Sequence, residues 1–379
     1  MAGSVTWNEL RELASVEASE GLAISLYVDL DPSVAATAGD VQTRVNSLLD
    51  TAGKVTAEHE RSLSHAQRIA LRGDLDRIRG WFDQEFVRDG AHGVAVFCGS
   101  LDGIWRTRPI LVSVGDEISL GRRLALARLA TLVGRGDGAL VVVAGRERGR
   151  FLRLADGKLA PVADLTEEQP GRHDQGGLSQ SRFQRHIDEL AAEHLREVAD
   201  ELDRRVRESG GALDVVIVAP ETSRAELAGY LTRPVEEALA GWAQAEAHTP
   251  DPELLQIVEP VLAARRQARE AELLERWREA SAKGRGVGGW EATLEAVSDA
   301  RAETLLLAER ADGDVWRCPA CGRLAPQAGE CPVDGTDTVE VDRGADAAII
   351  EALRRGGTTR IVSGPDLGPV EGIGALLRY

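Results

Sequence analysis

The sequence predicts an α/β protein of three domains, each built from a mixed sheet with flanking helices. Its 379 residues are enough for two or three domains, and an apolar fraction of 43% supplies their cores. Short apolar runs, typical of buried strands, alternate with longer segments in which apolar residues recur at helical spacing. We therefore expect an N-terminal α/β domain at 1–118, a middle domain at 119–250 and a C-terminal domain at 251–379.

The N-terminal domain is predicted to begin with a short helix within residues 1–20. A buried strand at 23–30 then ends at the turn signal Asp31-Pro32, and Cys98 ends a second buried strand as a small core residue. Two apolar stripes predict helix throughout 40–89. The strands predicted in this domain lie at 23–30, 93–98, 104–108 and 110–112.

The middle domain is predicted to contain a strand–turn–strand unit, a central loop at 160–180 and a long helix. The apolar stripe of residues 181–208 indicates a helix that packs on a sheet, and Gly210-Gly211 ends it. A βαβ-like crossover comes next. The segments predicted in this domain are strands at 139–144, 151–154 and 214–220, a helix at 221–231 and a further helix within 235–248.

The stretch from Arg172 to His186 holds the candidate binding residues of the middle domain. Gly176-Gly177 lets the backbone approach a partner closely, and amide, hydroxyl, guanidinium and imidazole groups occur within the next nine residues. This composition suits a loop tip that enters a crowded polar site. It equally suits a plain helix start with a glycine lead-in and Ser179 or Ser181 as the cap.

Charge indicates an acidic body with one local basic region. The net charge is −17, which argues against a nonspecific nucleic-acid binder. Residues 121–158 nevertheless hold nine Arg and Lys against three acids, either as an RNA-facing patch or as ordinary solvated faces. We see no signal peptide, no membrane-length apolar run and no secreted cysteine framework, so we expect a cytoplasmic protein with neither membrane nor DNA as a partner.

The C-terminal domain is predicted to start with a long charged helix at 252–281, which leads into the glycine-rich connector 284–290. This connector lacks the Gly-Lys-Ser/Thr of a phosphate-binding loop and does not come after a strand. Strands are expected at 303–308 and 361–362.

Three cysteines and an aspartate form the metal-like motif of the chain. Cys318, Cys321, Cys331 and Asp334 are spaced as two Cys-Pro-x-(Cys/Asp)-Gly turns, the form of a zinc knuckle. We expect a structural zinc site with Asp334 as the fourth ligand. A water, a neighbouring side chain or the loss of the metal are the alternatives. His186 and His194 lie two helical turns apart, which is not a usual ligand spacing.

Gly-Gly-x-Ser-Gln-Ser-Arg-Phe-Gln-Arg at 176–185, ahead of a long helix, resembles the middle domain of the archaeo-eukaryotic class-1 release factors. It resembles still more their bacterial relatives and the Vms/Ankzf group of peptidyl-tRNA hydrolases. The "SLYVDLDPS" strand, the "ARAETLLL" strand and the "GIGALLRY" ending resemble this family too, including relatives of the hibernation factor Balon. The resemblance implies a C-terminal domain of the kink-turn-binding ribosomal protein type with a Cys-rich insertion at 316–337.

In that family a Gly-Gly-Gln loop enters the peptidyl transferase centre and helps water cleave the peptidyl-tRNA ester. Here Leu178 stands in the place of that Gln, with Gln175 and Gln180 beside it. The resemblance implies a ribosome-bound factor that contacts rRNA and peptidyl-tRNA. The implied catalytic residues are Gln175, Gly176, Gly177, Ser179 and Gln180, and the implied RNA-binding residues are Arg172, His173, Arg182, Arg185 and His186.

The resemblance implies two alternative functions. The first is peptidyl-tRNA hydrolysis in ribosome rescue without stop-codon reading, since neither Asn-Ile-Lys-Ser nor Tyr-x-Cys-x-x-x-Phe occurs in the N-terminal domain. The second is a Balon-like hibernation factor that occupies the A site, with EF-Tu as a possible delivery partner, and that protects the peptidyl transferase centre without catalysis. Leu178 and the missing stop-codon reader favour the second function.

Overall fold

The computed structural model describes residues 5–58, 63–133, 138–155, 158–165, 179–210, 213–246, 248–363 and 365–379. Within them the chain forms four sheets and flanking helices, which confirms the predicted mixed α/β class. The helices are α1 Trp7–Ala14, α2 Ala38–Glu58, α3 His65–Gln84, α4 Ala127–Ala130, α5 Ser179–Glu208, α6 Glu221–Ala228, α7 Arg233–Ala238, α8 Asp251–Ala282, α9 Trp290–Ser298 and α10 Gly344–Arg354, with short 3-10 turns at Ser100–Asp102 and Pro365–Val370.

The strands are short, as expected for sheets whose faces are covered by helices. They are β1 Ala23–Asp29, β2 Gly93–Gly99, β3 Ile104–Ile110, β4 Glu117–Gly121, β5 Ala139–Ala144, β6 Gly149–Ala155, β7 Lys158–Asp164, β8 Asp214–Val218, β9 Leu239–Ala243, β10 Gly286–Gly288, β11 Ala302–Ala308, β12 Val315–Arg317, β13 Leu324–Ala325, β14 Val339–Val341, β15 Thr358–Val362 and β16 Ile373–Leu377.

Residue contacts divide the chain into two compact units. One combines Met1–Gly134 with Leu273–Tyr379, and the other is Arg135–Glu272. The three-domain boundaries at 118/119 and 250/251 stay a prediction. No helix among the described residues is long and apolar enough to cross a membrane.

The N-terminal sheet has the strand order β3-β2-β1-β4, and every pair is antiparallel, so the mixed sheet predicted for this domain is wrong. Apolar side chains of α2 and α3 cover one face, with Val45, Leu49 and Ile78 packed on β1 and β2. The predicted continuous helix at 40–89 is wrong, because α3 begins afresh after Ser64. The Ser64 hydroxyl accepts a hydrogen bond from the Gln67 N–H, and the Gln67 side chain accepts one from the Ser64 N–H. This capping box starts a new helix.

The other face of the N-terminal sheet belongs to a core that the two ends of the chain share. Leu10 of α1 and Leu126 before α4 lie in one apolar cluster with Ile349, Ile350 and Leu353 of α10. All five side chains are almost completely buried. The two terminal segments of the chain are therefore held together by a continuous hydrophobic core.

The middle sheet has the order β7-β6-β5-β8-β9, with β5, β8 and β9 parallel. The stripe of α5 packs on one face, as the sequence predicts, and the first half of α8 packs on the other. The helix predicted within 235–248 is replaced by α7 and the edge strand β9, because residues 239–243 pair with β8.

The C-terminal sheet has the order β10-β16-β11-β15 and is mixed, with β11 and β15 parallel. The predicted glycine connector contains β10, which pairs with β16. A Cβ on Gly286 would lie 2.5 Å from Ser281 Oγ and 2.9 Å from its backbone nitrogen, so glycine allows the close approach. The small sheet β13-β12-β14 carries the cysteine motif.

Candidate functional site

The predicted loop tip of the middle domain falls outside the described residues. Gln175, Gly176, Gly177, Arg172 and His173 all belong to this undescribed part of the chain, as does Leu178. The described chain resumes at Ser179, where helix α5 begins. This helix runs for 30 residues and is therefore about 45 Å long.

The first turns of α5 carry the remaining predicted residues of this site. Ser179, Gln180 and Arg182 lie in the first turn and a half of the helix, and Arg185 and His186 are exposed. Further along, Leu195, Val198 and Leu202 are fully buried against the sheet. These buried side chains anchor α5 on the sheet. In the sequence, the polar first turn of the helix directly follows the glycine loop.

His194 lies on the buried side of the same helix. Its side chain is 2% exposed, whereas His186 is exposed, so the two histidines do not present one ligand face. Within the described residues neither ring nitrogen of His194 has a hydrogen-bond partner. His194 is thus a buried histidine on the apolar side of α5.

The expected basic region of residues 121–158 is divided between the two compact units. Arg123 and Arg128 belong to the first unit, where each pairs with a glutamate: Glu17 for Arg123 and Glu117 for Arg128. In the second unit, Arg146 pairs with Asp188 and Arg150 with Asp251. The excess positive charge of this stretch is therefore partly neutralised within each unit.

The cysteine motif folds into two matching turns. In the first, the Gly322 N–H donates to the Cys318 carbonyl at 2.9 Å. In the second, the Gly335 N–H donates to the Cys331 carbonyl at 2.8 Å. Gly322 and Gly335 have φ of +83° and +71°, a conformation that favours glycine. The Cys-Pro-x-(Cys/Asp)-Gly repeat is thus explained by the backbone each turn requires.

These turns bring the four predicted ligands together. One ligand atom from each of Cys318, Cys321, Cys331 and Asp334 lies within 4.8 Å of the others. The Sγ atoms of Cys321 and Cys331 are 3.5 Å apart, and Cys318 Sγ is 3.4 Å from Asp334 Oδ2. A tetrahedral ion with bonds of about 2.3 Å needs its ligands about 3.8 Å apart. The four groups can therefore hold one metal ion with shifts of a few tenths of an ångström to about 1 Å.

Neighbouring groups fix the orientation of this knuckle. The Thr336 N–H donates to Asp334 Oδ1 at 3.0 Å, which holds the pKa of that carboxyl well below its usual range. The Leu324 N–H donates to the Ser298 hydroxyl at 3.0 Å, and Arg323 pairs with Asp299. Asp334 is therefore an ionised carboxylate, and the knuckle is tied to α9 and the turn after it.

The remaining cysteine takes no part in this cluster. Cys98 is fully buried in β2, and its Sγ donates to Asp74 Oδ1 at 3.3 Å. Burial, together with the Asp74 charge, raises the pKa of the Cys98 thiol to about 12. This confirms the prediction of a small core residue.

Comparisons with known proteins point to one superfamily. Residues 125–263 match the model described as bacterial archaeo-eukaryotic release factor family 10. The chain is 23% identical over 241 residues to peptide chain release factor subunit 1 of Aeropyrum pernix, covering 61% of each protein. It is 27% identical over 183 residues to the protein of the same name from Methanopyrus kandleri, covering 46% of this chain and 44% of the relative.

The family match over residues 125–263 and the two curated relatives support the bacterial branch of the archaeo-eukaryotic release factor superfamily. The chain spans about three fifths of one of these curated release factors and under half of the other. Among solved structures it is similar to the archaeal translation termination factor aRF1, with 16% identity, 99% coverage of both chains and a TM-score of 0.28. The family model covers the glycine loop and α5, which are the superfamily feature that the sequence indicates most directly.

The structure contains one polar cluster that the sequence did not predict. Glu17, Arg123, Arg317 and Arg354 converge in the structure, although up to 337 positions separate them in the chain. Each looks like an ordinary surface charge when the sequence is read alone. Only the folded arrangement of the two chain ends brings them together.

Proposed function

We propose that this protein acts at the ribosome as a release-factor-like factor and cleaves the peptidyl-tRNA ester in ribosome rescue. The observation that carries the proposal is the family match over residues 125–263, which includes the Gly-Gly loop and the whole of α5. The shared name of both curated relatives, peptide chain release factor subunit 1, supports the same class of function.

The proposed chemistry depends on positioning. Gly176 and Gly177 allow the loop backbone to approach the ester, and its N–H groups, with the amide of Gln175 or Gln180, orient water and stabilise the oxyanion. The Ser179 hydroxyl adds a further hydrogen-bonding group to this tip. No side-chain general base is required. The anchored helix α5 supplies the rigid support that such positioning needs.

The proposed RNA contacts lie at and beside this tip. Arg185 and His186 are exposed on the second turn of α5, where they can face phosphate groups. Arg182 precedes them by one turn, and Arg172 and His173 precede the glycines in the chain. Together they would hold rRNA or peptidyl-tRNA around the inserted loop.

One observation favours a second function without catalysis. Leu178 occupies the position of the superfamily's loop Gln, and an isobutyl side chain can neither orient water nor donate a hydrogen bond. A protein with this loop would still fit the A site and cover the peptidyl transferase centre, as a Balon-like hibernation factor. EF-Tu is the delivery partner proposed for that role.

A single assay distinguishes the two functions. Stalled ribosomes with labelled peptidyl-tRNA are incubated with the wild type, with a Gly176→Ala/Gly177→Ala variant and with Gln180→Ala. Hydrolysis by the wild type that falls at least about 100-fold in the double variant supports the enzyme. Arg233→Ala, which removes an exposed arginine of α7, is the matched control and should keep full activity.

Two other results decide against hydrolysis. Ribosome binding without ester cleavage by any form assigns the protein to the hibernation class. EF-Tu dependence of that binding would then identify the delivery route. Failure of the wild type to bind ribosomes at physiological salt contradicts both functions.

We also propose that the knuckle holds one structural zinc ion. Three cysteine sulfurs and one carboxylate within 4.8 Å of one another form a ligand set that favours zinc over magnesium or calcium. Elemental analysis of the purified protein should give one zinc per chain. Cys331→Ser should lose it, whereas Cys98→Ala should keep it. A wild type without metal would refute the zinc site.

A further inference from the structure

Three arginines surround the carboxylate of Glu17 where the two ends of the chain meet. The Oε2 atom of Glu17 lies 3.2 Å from Arg123 Nη2 and 3.6 Å from Arg354 Nη1. Its Oε1 atom lies 3.0 Å from Arg317 Nη1. We call Arg123, Arg317 and Arg354 the arginine cluster. They come from the segment after β4, from β12 and from the last residue of α10.

The arginine cluster carries more positive charge than its neighbours neutralise. Glu351 is the second acid nearby, but its Oε1 accepts from Arg355 at 2.8 Å and its Oε2 is 4.0 Å from Arg123. Four guanidinium groups thus face two carboxylates. The C-terminal end of α10 adds about half a negative charge, which leaves a positive excess.

The excess of positive charge over negative charge is clearest at Arg123. Its side chain is only 10% exposed, and among the described residues its Nε and Nη1 atoms have no hydrogen-bond partner. The Nε atom of Arg317 has none either. Burial, with repulsion from Arg317 as the next cause, lowers the pKa of Arg123 despite the opposing charge of Glu17. Buried cations with unused donors are costly unless an anion compensates them.

We propose that the arginine cluster is a binding site for a phosphate-class oxyanion, and that the Glu17 carboxylate occupies it in the absence of that ligand. Three donors from separate elements already converge on one oxyanion, and arginine is the side chain best matched to phosphate geometry. The site is open to solvent on one side, where Arg354 is 41% and Glu17 32% exposed. The phosphate group can belong to a free anion or to an RNA backbone.

Glu17 and the ligand must compete for the same three donors. In the wild type, phosphate must displace a carboxylate and is repelled by its charge, so affinity is low. When Glu17 is replaced, the same donors remain and the competitor is gone. With a purely structural ion-pair cluster, the Glu17 variant would also lose stability, but phosphate would restore none of it.

Calorimetric titration with inorganic phosphate, at constant ionic strength set with chloride, tests the site. Glu17→Ala should bind phosphate at least about tenfold more tightly than the wild type, because a like charge a few ångströms away is removed. Adding Arg354→Ala to that variant should abolish the gain. Glu237→Ala, which removes an exposed carboxylate paired with Arg233, is the control and should match the wild type.

Thermal unfolding supplies a second measurement. The midpoint of Glu17→Ala should fall in chloride and recover in phosphate, and Glu17→Gln should do the same if the alanine variant does not fold. All variants keep Cys318, Cys321, Cys331 and Asp334, so the charge of the neighbouring knuckle is the same in every measurement.

Competition with RNA identifies the source of the phosphate group. A short RNA oligonucleotide that displaces phosphate identifies RNA as the source, and failure to displace it identifies a free anion. Phosphate binding that is unchanged in both Glu17 variants would overturn the proposal.

Discussion

Asp346 is a buried carboxylate in the contact between the two chain ends. It is 4% exposed near the start of α10, and its Oδ1 accepts from the N–H groups of Leu126 and Ala127 at 2.6 and 2.7 Å. Its Oδ2 accepts from Arg343 Nε at 2.5 Å. One side chain therefore satisfies two backbone donors of the N-terminal segment and a cation beside its own helix.

Replacing Asp346 with alanine should lower the free energy of unfolding by about 3–5 kcal/mol. The change leaves the N–H groups of Leu126 and Ala127 without their acceptor, and it removes one of the two carboxylates that pair with Arg343. Denaturant unfolding measures the effect. Asp366→Ala, which breaks an exposed pair with Arg278, should cost less than about 1 kcal/mol. Equal losses in the two variants would contradict the role of Asp346.

The lowered pKa of Asp31 predicts that the stability of the fold depends on pH. Hydrogen bonds from Ser33, with a further one from His92, lower the pKa of its carboxyl to about 2. Because this lies below the unfolded value of about 3.9, ionised Asp31 stabilises the fold above about pH 4, and this contribution disappears as the pH falls toward 2. Asp31→Asn should therefore reduce the fall in melting temperature between pH 4 and 2.

The matched control for this effect is Asp83→Asn, an exposed aspartate of α3. Its melting temperature should track the wild-type curve across the same pH range. A fall in Asp31→Asn as steep as in the wild type would show that the hydrogen bonds of Asp31 do not contribute.

Single residues are predictable from the sequence where their chemistry is local. Short spacing and repeated Cys-Pro turns predict the four knuckle ligands, and the structure brings them within 4.8 Å of one another. The Asp31-Pro32 turn is predicted by the same kind of local signal. Glu17 and Arg317 are 300 positions apart, and no pattern within either segment marks them as partners.

At the scale of elements, α5 and β6 approach each other closely at Gly149. A Cβ at that position would lie 2.6 Å from Val198 Cγ2 and 3.3 Å from Leu165 Cβ. Val198 belongs to the buried stripe of α5. The absence of a side chain on β6 thus lets the helix that carries the proposed functional tip lie directly on the sheet.

Gly149→Ala should destabilise the protein by about 1–3 kcal/mol, because an added methyl overpacks this contact. Gly73→Ala is the control, since no atom lies within 4 Å of its Cβ position on the outside of α3. Alanine there should stabilise by about 0.5–1 kcal/mol. Urea unfolding compares the two variants, and a neutral Gly149→Ala would contradict the close packing.

Long elements with a strong apolar period are predicted well, and short ones are not. The period predicts a helix at 181–208, and α5 is found at Ser179–Glu208. The edge strand β9 lies where the sequence predicts a helix, because its alanines are poor indicators of strand. Its pairing with β8, a contact outside the segment, decides its conformation.

For the whole molecule, the two chain ends form one unit through the shared core, Asp346 and the arginine cluster. The sequence could predict the α/β class and the order of its sheets along the chain. It could not predict that the two chain ends form one compact unit, because contacts between residues 220 to 300 positions apart leave no local signal in the sequence. The second unit carries the helix whose start continues from the glycine loop.

The proposed function requires the loop before α5 to reach the peptidyl transferase centre of the ribosome. Photocross-linking from an amino acid analogue placed at Leu178 measures this, with the same analogue at Val87, which is 77% exposed, as the control. We expect cross-links from position 178 to large-subunit rRNA at the peptidyl transferase centre and none there from position 87. Cross-links from position 178 that fall elsewhere, or none at all on bound ribosomes, would contradict the proposed function.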